Sequence, residues 1–178
     1  NLRIANVIIT WNVFQHFYPY FENVKYNWHF AFKESLNECL SSTTALDLHL
    51  ILKKMTAYLN DGHIYVKYKN DPYDYLPKIS IKKLENKYFI SHVSDSLKSE
   101  VAIGSEIKLI NNKQPSFYFD SLSTLISSST AQSKNASIEQ EFFWGLKNSS
   151  IKLSIEQSSE IKDVILIRDT PKWGGVYR

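Results

Sequence analysis

The spacing of the apolar residues changes once along this 178-residue chain, at Gly62, and this change constrains the fold more than any other feature. Before Gly62 the apolar residues recur every three or four positions, which is the period of a helix. After Gly62 they alternate with polar residues, which is the period of a strand. The sequence therefore predicts an α+β fold, with an N-terminal helical bundle over residues 1–62 and a small domain of strands with one or two helices over residues 63–170. Residues 171–178 are predicted to be a linker, because two glycines are adjacent there.

Three helices are predicted before Gly62. The first covers residues 2–18 and the second covers residues 28–40, and each has an apolar stripe along one face. The third helix begins at Thr44, because Thr44 and Asp47 have the spacing of a capping box. Gly62 provides the stop signal, since glycine readily adopts the left-handed conformation that ends many helices.

The rest of the chain predicts short strands joined by turns, with two more helices among them. The strands are predicted at residues 64–68, 79–84, 88–93, 106–110, 151–155 and 164–167. Residues 104–113 are predicted to form a hairpin, because two adjacent asparagines favour a tight turn. The helices are predicted at residues 116–126 and from Ser137 onward, where Ser137 and Gln140 have capping-box spacing. The serine-rich residues 127–130 are typical of a mobile loop.

Composition and charge argue against several classes of function. The net formal charge is only +3, from 21 Lys and Arg against 18 Asp and Glu, and the basic residues are dispersed, so we expect no nucleic-acid binding. The five glycines are not spaced as phosphate-binding loops require. Cys39 is the single cysteine and allows no internal disulfide, and the five histidines lack the spacing of a helical zinc site. No apolar run reaches the roughly 20 residues that cross a membrane. We expect no cofactor and no metal.

The sharpest local feature is Asn60-Asp61-Gly62-His63, where the third helix is predicted to end and a strand to begin. A histidine at such a corner is held by rigid backbone but is open to solvent, so its neutral imidazole can act as a general base. His63 is therefore the candidate catalytic residue. The alternative is that Asp61 and Gly62 only end the helix and that His63 is an ordinary strand residue. No serine lies in a Gly-x-Ser-x-Gly turn, so the sequence identifies no nucleophile.

Three segments, taken in order, resemble the front part of the tail-specific (C-terminal processing) serine peptidases. They are Trp11-Asn12-Val13-Phe14-Gln15-His16-Phe17-Tyr18-Pro19-Tyr20, Leu59-Asn60-Asp61-Gly62-His63, and the PDZ-like Gly104-Ser105-Glu106-Ile107-Lys108-Leu109-Ile110-Asn111-Asn112-Lys113-Gln114-Pro115. The tricorn-like bacterial branch is the most similar. The resemblance implies that residues 63–170 form a PDZ-like domain and that the parent protein is a hydrolase that carries out proteolysis.

The resemblance also implies where the remaining catalytic groups belong. In this family the nucleophilic serine and the oxyanion hole lie in an α/β domain that follows the PDZ-like domain, and that domain is not in this chain. We therefore expect an N-terminal portion that does not cleave peptides alone. In tricorn-like members the histidine at the position of His63 is the base for the serine, whereas other branches use a serine and lysine pair, and the branch stays open. Such peptidases usually act in the bacterial cell envelope, so a periplasmic or extracellular location is expected.

A PDZ-like domain implies that peptide or protein C-terminal tails are the partners. An extended tail is predicted to add as a strand beside residues 88–93 and to pack against the helix at residues 119–126. The predicted substrate-binding residues are Tyr88, Phe89, Ile90, Ser91, Leu122 and Ile126. Two functions without catalysis stay open, namely a peptide- or protein-binding module and a structural domain of a cell-surface protein.

Overall fold

The computed structural model describes residues 2–24 and 26–172, so the predicted linker lies outside the described residues beyond position 172. In chain order the elements are α1 (Leu2–Phe17), a 3₁₀ turn (Phe21–Asn23), α2 (Trp28–Ser41), α3 (Ala45–Ala57), β1 (Tyr75–Leu76), β2 (Ile79–Leu84), β3 (Lys87–Val93), a second 3₁₀ turn (Asp95–Leu97), β4 (Glu106–Ile110), α4 (Pro115–Ser123), α5 (Ala131–Glu141), β5 (Ser150–Gln157), β6 (Glu160–Ile167) and β7 (Thr170–Pro171). Three N-terminal helices therefore precede an antiparallel sheet with helices, and the predicted α+β class is confirmed.

Two compact units divide the chain. The helical unit comprises Asn1–Asn70 and Ser123–Lys134, and the sheet unit comprises Asp71–Leu122 and Asn135–Arg178. The predicted domain bounds at residues 1–62 and 63–170 stay a prediction, because compactness alone does not show which part of a chain folds by itself.

The helices α1, α2 and α3 of the helical unit pack around one apolar core. Val7, Ala31 and Met55, one from each helix, are completely buried in it. Trp28 opens α2, is 3% exposed and packs edge-on against Phe14 of α1. The first two helices begin where the apolar spacing predicts and end within one residue of the prediction. Burial of one stripe on each helix is what the spacing of three and four residues requires.

Side-chain caps begin the second and third helices. The Asn27 side chain accepts a hydrogen bond from the Phe30 backbone N–H at 3.1 Å, which caps α2. At α3 the Thr44 hydroxyl accepts from the Asp47 N–H at 3.0 Å, and the Asp47 carboxylate accepts from the Thr44 N–H at 2.8 Å. This reciprocal pair confirms the predicted capping box.

Two expectations about the corner after α3 are wrong. The helix ends at Ala57, and the left-handed conformation that follows belongs to Asn60, with φ of 52°, rather than to Gly62. Residues 64–68 form no strand and pair with no strand of the described chain. Their exposure does alternate, and Ile64 packs against the helical core. The period of two therefore came from one-sided packing of an extended segment, which does not need a partner strand.

The sheet unit is built on five antiparallel strands in the order β2-β3-β4-β5-β6, while β1 pairs separately with β7. Its apolar core includes Ile81, Ile90, Ile107, Leu153 and Ile155, all at most 3% exposed. The pairs β2–β3 and β5–β6 are hairpins. The two-residue turn predicted at Asn111-Asn112 is present, because Ile110 and Lys113 exchange two backbone hydrogen bonds across it, at 2.8 and 2.9 Å. The hairpin predicted at residues 104–113 extends no further than this pair, since β4 pairs with β3 and β5 and the chain then enters α4.

The later helices are displaced from their predicted bounds. α4 begins one residue early and ends at Ser123 rather than at residue 126. α5 begins at Ala131, after Thr130, whose hydroxyl accepts from the Ser133 N–H at 3.1 Å. Ser137 lies in the middle of α5, so the capping box predicted there is wrong. No helix in the ranges 2–24 and 26–172 has the length and apolar character needed to cross a membrane.

Candidate active site

The candidate base, His63, follows the short turn that ends α3 in the helical unit. The Asp61 side chain organises this turn, because its Oδ1 accepts the His63 backbone N–H at 2.9 Å. Asparagine and aspartate favour such turns, since their short side chains can bond the backbone two residues on. The local sequence Asp-Gly-His therefore places the imidazole beside a carboxylate.

The His63 ring makes a second contact with the same carboxylate oxygen. Its Nδ1 lies 3.0 Å from Oδ1 of Asp61, while the His63 side chain is 97% exposed. An ionised carboxylate only accepts hydrogen bonds, so Nδ1 is the donor in this contact. In the neutral ring the lone pair is then on Nε2, which is the nitrogen that a general base uses. The ring is not sealed in an apolar interior.

Asp61 is held as an anion by the groups around it. Donation from the His63 backbone N–H is the largest influence that lowers the pKa of the Asp61 carboxyl below its usual value, and the Tyr18 hydroxyl and the His63 ring act in the same direction. Burial acts in the opposite direction, since the side chain is only 16% exposed. Asp61 is therefore ionised at neutral pH and is available as an acceptor.

Tyr18 contacts the other oxygen of this carboxylate. Its hydroxyl donates to Oδ2 of Asp61 at 2.9 Å. Burial, followed by the hydrogen bond to Asp61, raises the pKa of Tyr18 to about 12, so the hydroxyl keeps its proton and remains a donor. The Tyr18 ring packs edge-on against Phe14, Tyr20 and Phe21.

A serine from the later segment of the helical unit holds the backbone of the turn. The Asp61 N–H donates to the Ser127 hydroxyl oxygen at 2.9 Å. The sequence prediction for residues 127–130 was a mobile loop, yet Ser128 is buried and bonds to the carbonyl of Thr130 at 3.3 Å. This segment is thus a hydrogen-bonded part of the site.

Sequence reasoning identified His63 but missed its partners. Asp61 was interpreted only as a helix terminator, although an aspartate two residues before a histidine could have suggested the contact. Tyr18 and Ser127 are 43 and 66 residues away from Asp61, and no local pattern indicates that they meet.

The predicted substrate-binding residues of β3 lie on an inner strand. Tyr88 and Ile90 are buried at 5% and 1% exposure, while Phe89 is partly exposed and Ser91 is exposed. β3 is bonded on one side by β2 and on the other by β4, and Ile90 also exchanges backbone bonds with the segment at residues 104–105. No unpaired backbone edge is therefore left beside Phe89 and Ile90, while strand addition beside residues 88–93 as a whole stays a prediction.

The two predicted residues after β3 are not on the same unit. Leu122 belongs to the sheet unit and is partly buried, whereas Ile126 belongs to the helical unit and is 6% exposed. The roles of these six residues in substrate binding stay a prediction.

An edge of the described sheet lies at β2 instead of β3. Glu139 of α5 is bonded to it, because one carboxylate oxygen accepts the Lys83 backbone N–H at 2.8 Å and the other pairs with the Lys82 ammonium at 2.9 Å. Glu139 is 9% exposed. Edge strands are commonly protected in this way by a charged side chain.

No group of three or more His, Cys, Asp and Glu side chains in the described part of the chain could hold a metal ion. The helical unit has a cavity of about 250 Å³, lined by Tyr26, Lys54, Ala57, Tyr58, Asn60, Ser123, Thr124 and Lys134. Its lining mixes ammonium, hydroxyl and amide groups, and Asn60 connects it to the turn that carries His63.

Comparison with known proteins finds similarity in structure only. No protein-family model and no curated protein sequence matches this chain. A crystal structure of a serine-to-alanine mutant of CPAF matches 95% of this chain with a TM-score of 0.73 and 15% identity. A structure of mature CPAF matches 93% of the chain with a TM-score of 0.67 and 12% identity. The chain shares the fold of these structures and spans 34% of the length of each.

A PDZ domain also matches part of the chain. It belongs to the carboxy-terminal protease from Vibrio cholerae, solved in complex with peptide, and the match covers 54% of this chain and 94% of that domain. The TM-score is 0.34 and the identity is 11%.

Proposed function

We propose that this chain is the N-terminal portion of a serine endopeptidase of the tail-specific type, in which His63 is the general base. The observation that carries the proposal is the 3.0 Å contact between Nδ1 of His63 and Oδ1 of Asp61, on a ring that is 97% exposed. The nucleophilic serine and the oxyanion hole would belong to a following α/β domain. The similarity in fold to CPAF and the sequence resemblance around Asp61 and His63 support this separation of the base, in this chain, from the nucleophile, in a following domain.

The geometry fits two of the three roles in a Ser-His-Asp triad. As the serine oxygen attacks the scissile carbonyl, Nε2 of His63 takes the hydroxyl proton, and the ring becomes an imidazolium. Asp61 keeps the Nδ1–H in place and stabilises that positive charge. The imidazolium then gives its proton to the leaving amine as the peptide bond breaks. In the second half of the cycle His63 takes a proton from water, which attacks the acyl-enzyme, and returns it to the serine.

The test compares two histidine variants of the protein that includes its downstream segment. His63→Ala should reduce kcat/KM for a peptide substrate by a factor on the order of 10³ or more, because loss of a triad member leaves only residual catalysis. His92→Ala is the matched control, since His92 is also an exposed histidine but lies on β3 of the sheet unit. Equal activity of the His63→Ala variant and the unaltered protein would contradict the proposal. Hydrolysis of the peptide by the isolated 178-residue chain would contradict the proposal that the nucleophile lies in a following domain.

A second candidate function is a peptide-binding module without catalysis, and one observation favours it. β2 is an edge of the described sheet, and strand addition at an edge is a common mode of peptide recognition. A peptide bound there would displace the Glu139 carboxylate from the Lys83 N–H. Titration of the chain with a C-terminal tail peptide, followed by amide chemical shifts, tests it. Shifts confined to Ile79–Leu84 support binding at β2, and the same shifts in a His63→Ala variant would separate binding from catalysis.

A further inference from the structure

Both oxygens of the Asp61 carboxylate accept hydrogen bonds, Oδ1 from His63 and Oδ2 from Tyr18. Oδ1 accepts two bonds from one neighbour, the backbone N–H of His63 at 2.9 Å and its Nδ1 at 3.0 Å. Oδ2 accepts the Tyr18 hydroxyl at 2.9 Å. A carboxylate that is bonded only through one oxygen can turn about its Cβ–Cγ bond, because that torsion is broad. Tyr18 restricts this rotation from the opposite side.

The position of the Tyr18 hydroxyl is itself fixed by the end of α1. The Tyr18 backbone N–H donates to the Phe14 carbonyl at 3.1 Å, which continues the helical pattern by one residue. Pro19 follows, and a proline in this position prevents the helix from continuing. The ring is packed edge-on against Phe14 and Phe21, with centroid separations of 5.8 and 6.5 Å. The hydroxyl therefore reaches Asp61 from a rigid support.

We propose that Tyr18 is a positioning residue for His63: by bonding Oδ2 of Asp61, it orients Oδ1 toward Nδ1 and thereby keeps the neutral imidazole in the Nδ1–H tautomer. The catalytic meaning of this tautomer rests on the proposed function, because only the Nδ1–H form leaves the Nε2 lone pair free to accept a proton. The structural contact does not depend on that function. Under this proposal the helical unit also has a role at the site, since Tyr18, at the end of α1, favours one tautomer of the His63 ring.

The proposal predicts a change that a purely structural role would not produce. Tyr18→Phe keeps the ring and its aromatic contacts but removes the donor, so the fold persists while the carboxylate loses one of its two supports. One hydrogen bond has a net free energy that corresponds to roughly a two- to tenfold change in an equilibrium constant. We therefore expect the ratio of Nδ1–H to Nε2–H forms of His63 to fall by about that factor in the Tyr18→Phe variant.

The experiment uses the chain with ¹⁵N-labelled histidine, at an alkaline pH where imidazole rings are neutral. Long-range ¹H–¹⁵N correlation spectra report which ring nitrogen carries the hydrogen. Tyr20→Phe is the matched control, because Tyr20 is a 59% exposed neighbour and is not among the groups that act on the Asp61 carboxylate. Asp61→Ala is the positive control, since it removes the acceptor and should mix the two tautomers.

The outcomes are distinct. A lower Nδ1–H fraction in Tyr18→Phe, with Tyr20→Phe equal to the unaltered chain and with both variants folded by circular dichroism, supports the proposal. An unchanged fraction in Tyr18→Phe overturns it. If the tautomer shifts but His63→Ala in the longer protein keeps full hydrolytic activity, the role of Tyr18 stands and the proposed peptidase function fails.

Discussion

Replacing Asp61 with alanine should lower the free energy of unfolding by about 2 kcal/mol, mainly because the Tyr18 hydroxyl loses its acceptor. Three donors contact the carboxylate: the Tyr18 hydroxyl at 2.9 Å, the His63 backbone N–H at 2.9 Å and the His63 Nδ1 at 3.0 Å. The His63 ring is 97% exposed, so water replaces its bond at little cost. The Tyr18 hydroxyl is partly buried, and an unsatisfied polar group in such a place costs about 1–3 kcal/mol.

The assay is a double-mutant cycle in urea denaturation, with Asp61→Ala, Tyr18→Phe and the double variant. We expect a coupling free energy of about 1–2 kcal/mol, because each single change removes the same hydrogen bond. His63→Ala is the control and should stay within about 0.5 kcal/mol of the unaltered chain, as expected for an exposed side chain. A coupling below about 0.3 kcal/mol would refute the reasoning, since residues without direct contact are additive within that error.

Three further predictions concern pH, glycine conformation and the core of the sheet. The pKa of Asp61 in the folded chain is lowered from 3.8, so its contribution to stability should be complete above pH 3.8 and should disappear as pH falls through the folded pKa. Acid unfolding of the unaltered chain, compared with that of Asp61→Asn, which lacks this ionisation, measures the effect. Gly104→Ala should lower the free energy of unfolding in urea by about 1–2 kcal/mol, because Gly104 has φ of 87°. Gly62→Ala is the control and should change that free energy by less than about 0.5 kcal/mol, because the added Cβ meets open space. Equal costs for the two variants would contradict the backbone conformations assigned to these glycines. Leu153→Ala should lower the free energy of unfolding by about 2–5 kcal/mol, because the side chain is completely buried. Ile165→Ala should lower it by less than about 1 kcal/mol, because that side chain is 65% exposed. A larger loss for Ile165→Ala in thermal unfolding would contradict the assignment of the buried face of the sheet.

The helices of the N-terminal region were predictable because their signals are local. A stripe every three or four residues and the Thr44–Asp47 capping box depend only on neighbours in sequence, and both are present. The strand predicted at residues 64–68 failed for the opposite reason. Its alternation is real, but a strand also needs a distant partner, and no local pattern reports whether that partner is available.

The candidate site also has a local part, which the sequence could predict, and a non-local part, which it could not. The Asp-Gly-His corner is local, and His63 could be selected from it. The contact from Tyr18 joins residues 43 positions apart, so it depends on how α1 packs against α3. The peptide edge predicted beside residues 88–93 also depended on a non-local property, the order of strands, and β4 pairs with β3 at Phe89.

The tautomer of His63 in the unaltered chain tests the central claim most directly. Asp61 accepting from Nδ1 requires that, in the neutral ring, the hydrogen resides on Nδ1 and the lone pair on Nε2. A ¹⁵N spectrum at alkaline pH should therefore show a bonded hydrogen on Nδ1 and an unprotonated Nε2. A spectrum in which Nε2 carries the hydrogen would mean that His63 is not held as a base by Asp61, and the account of this site would be wrong.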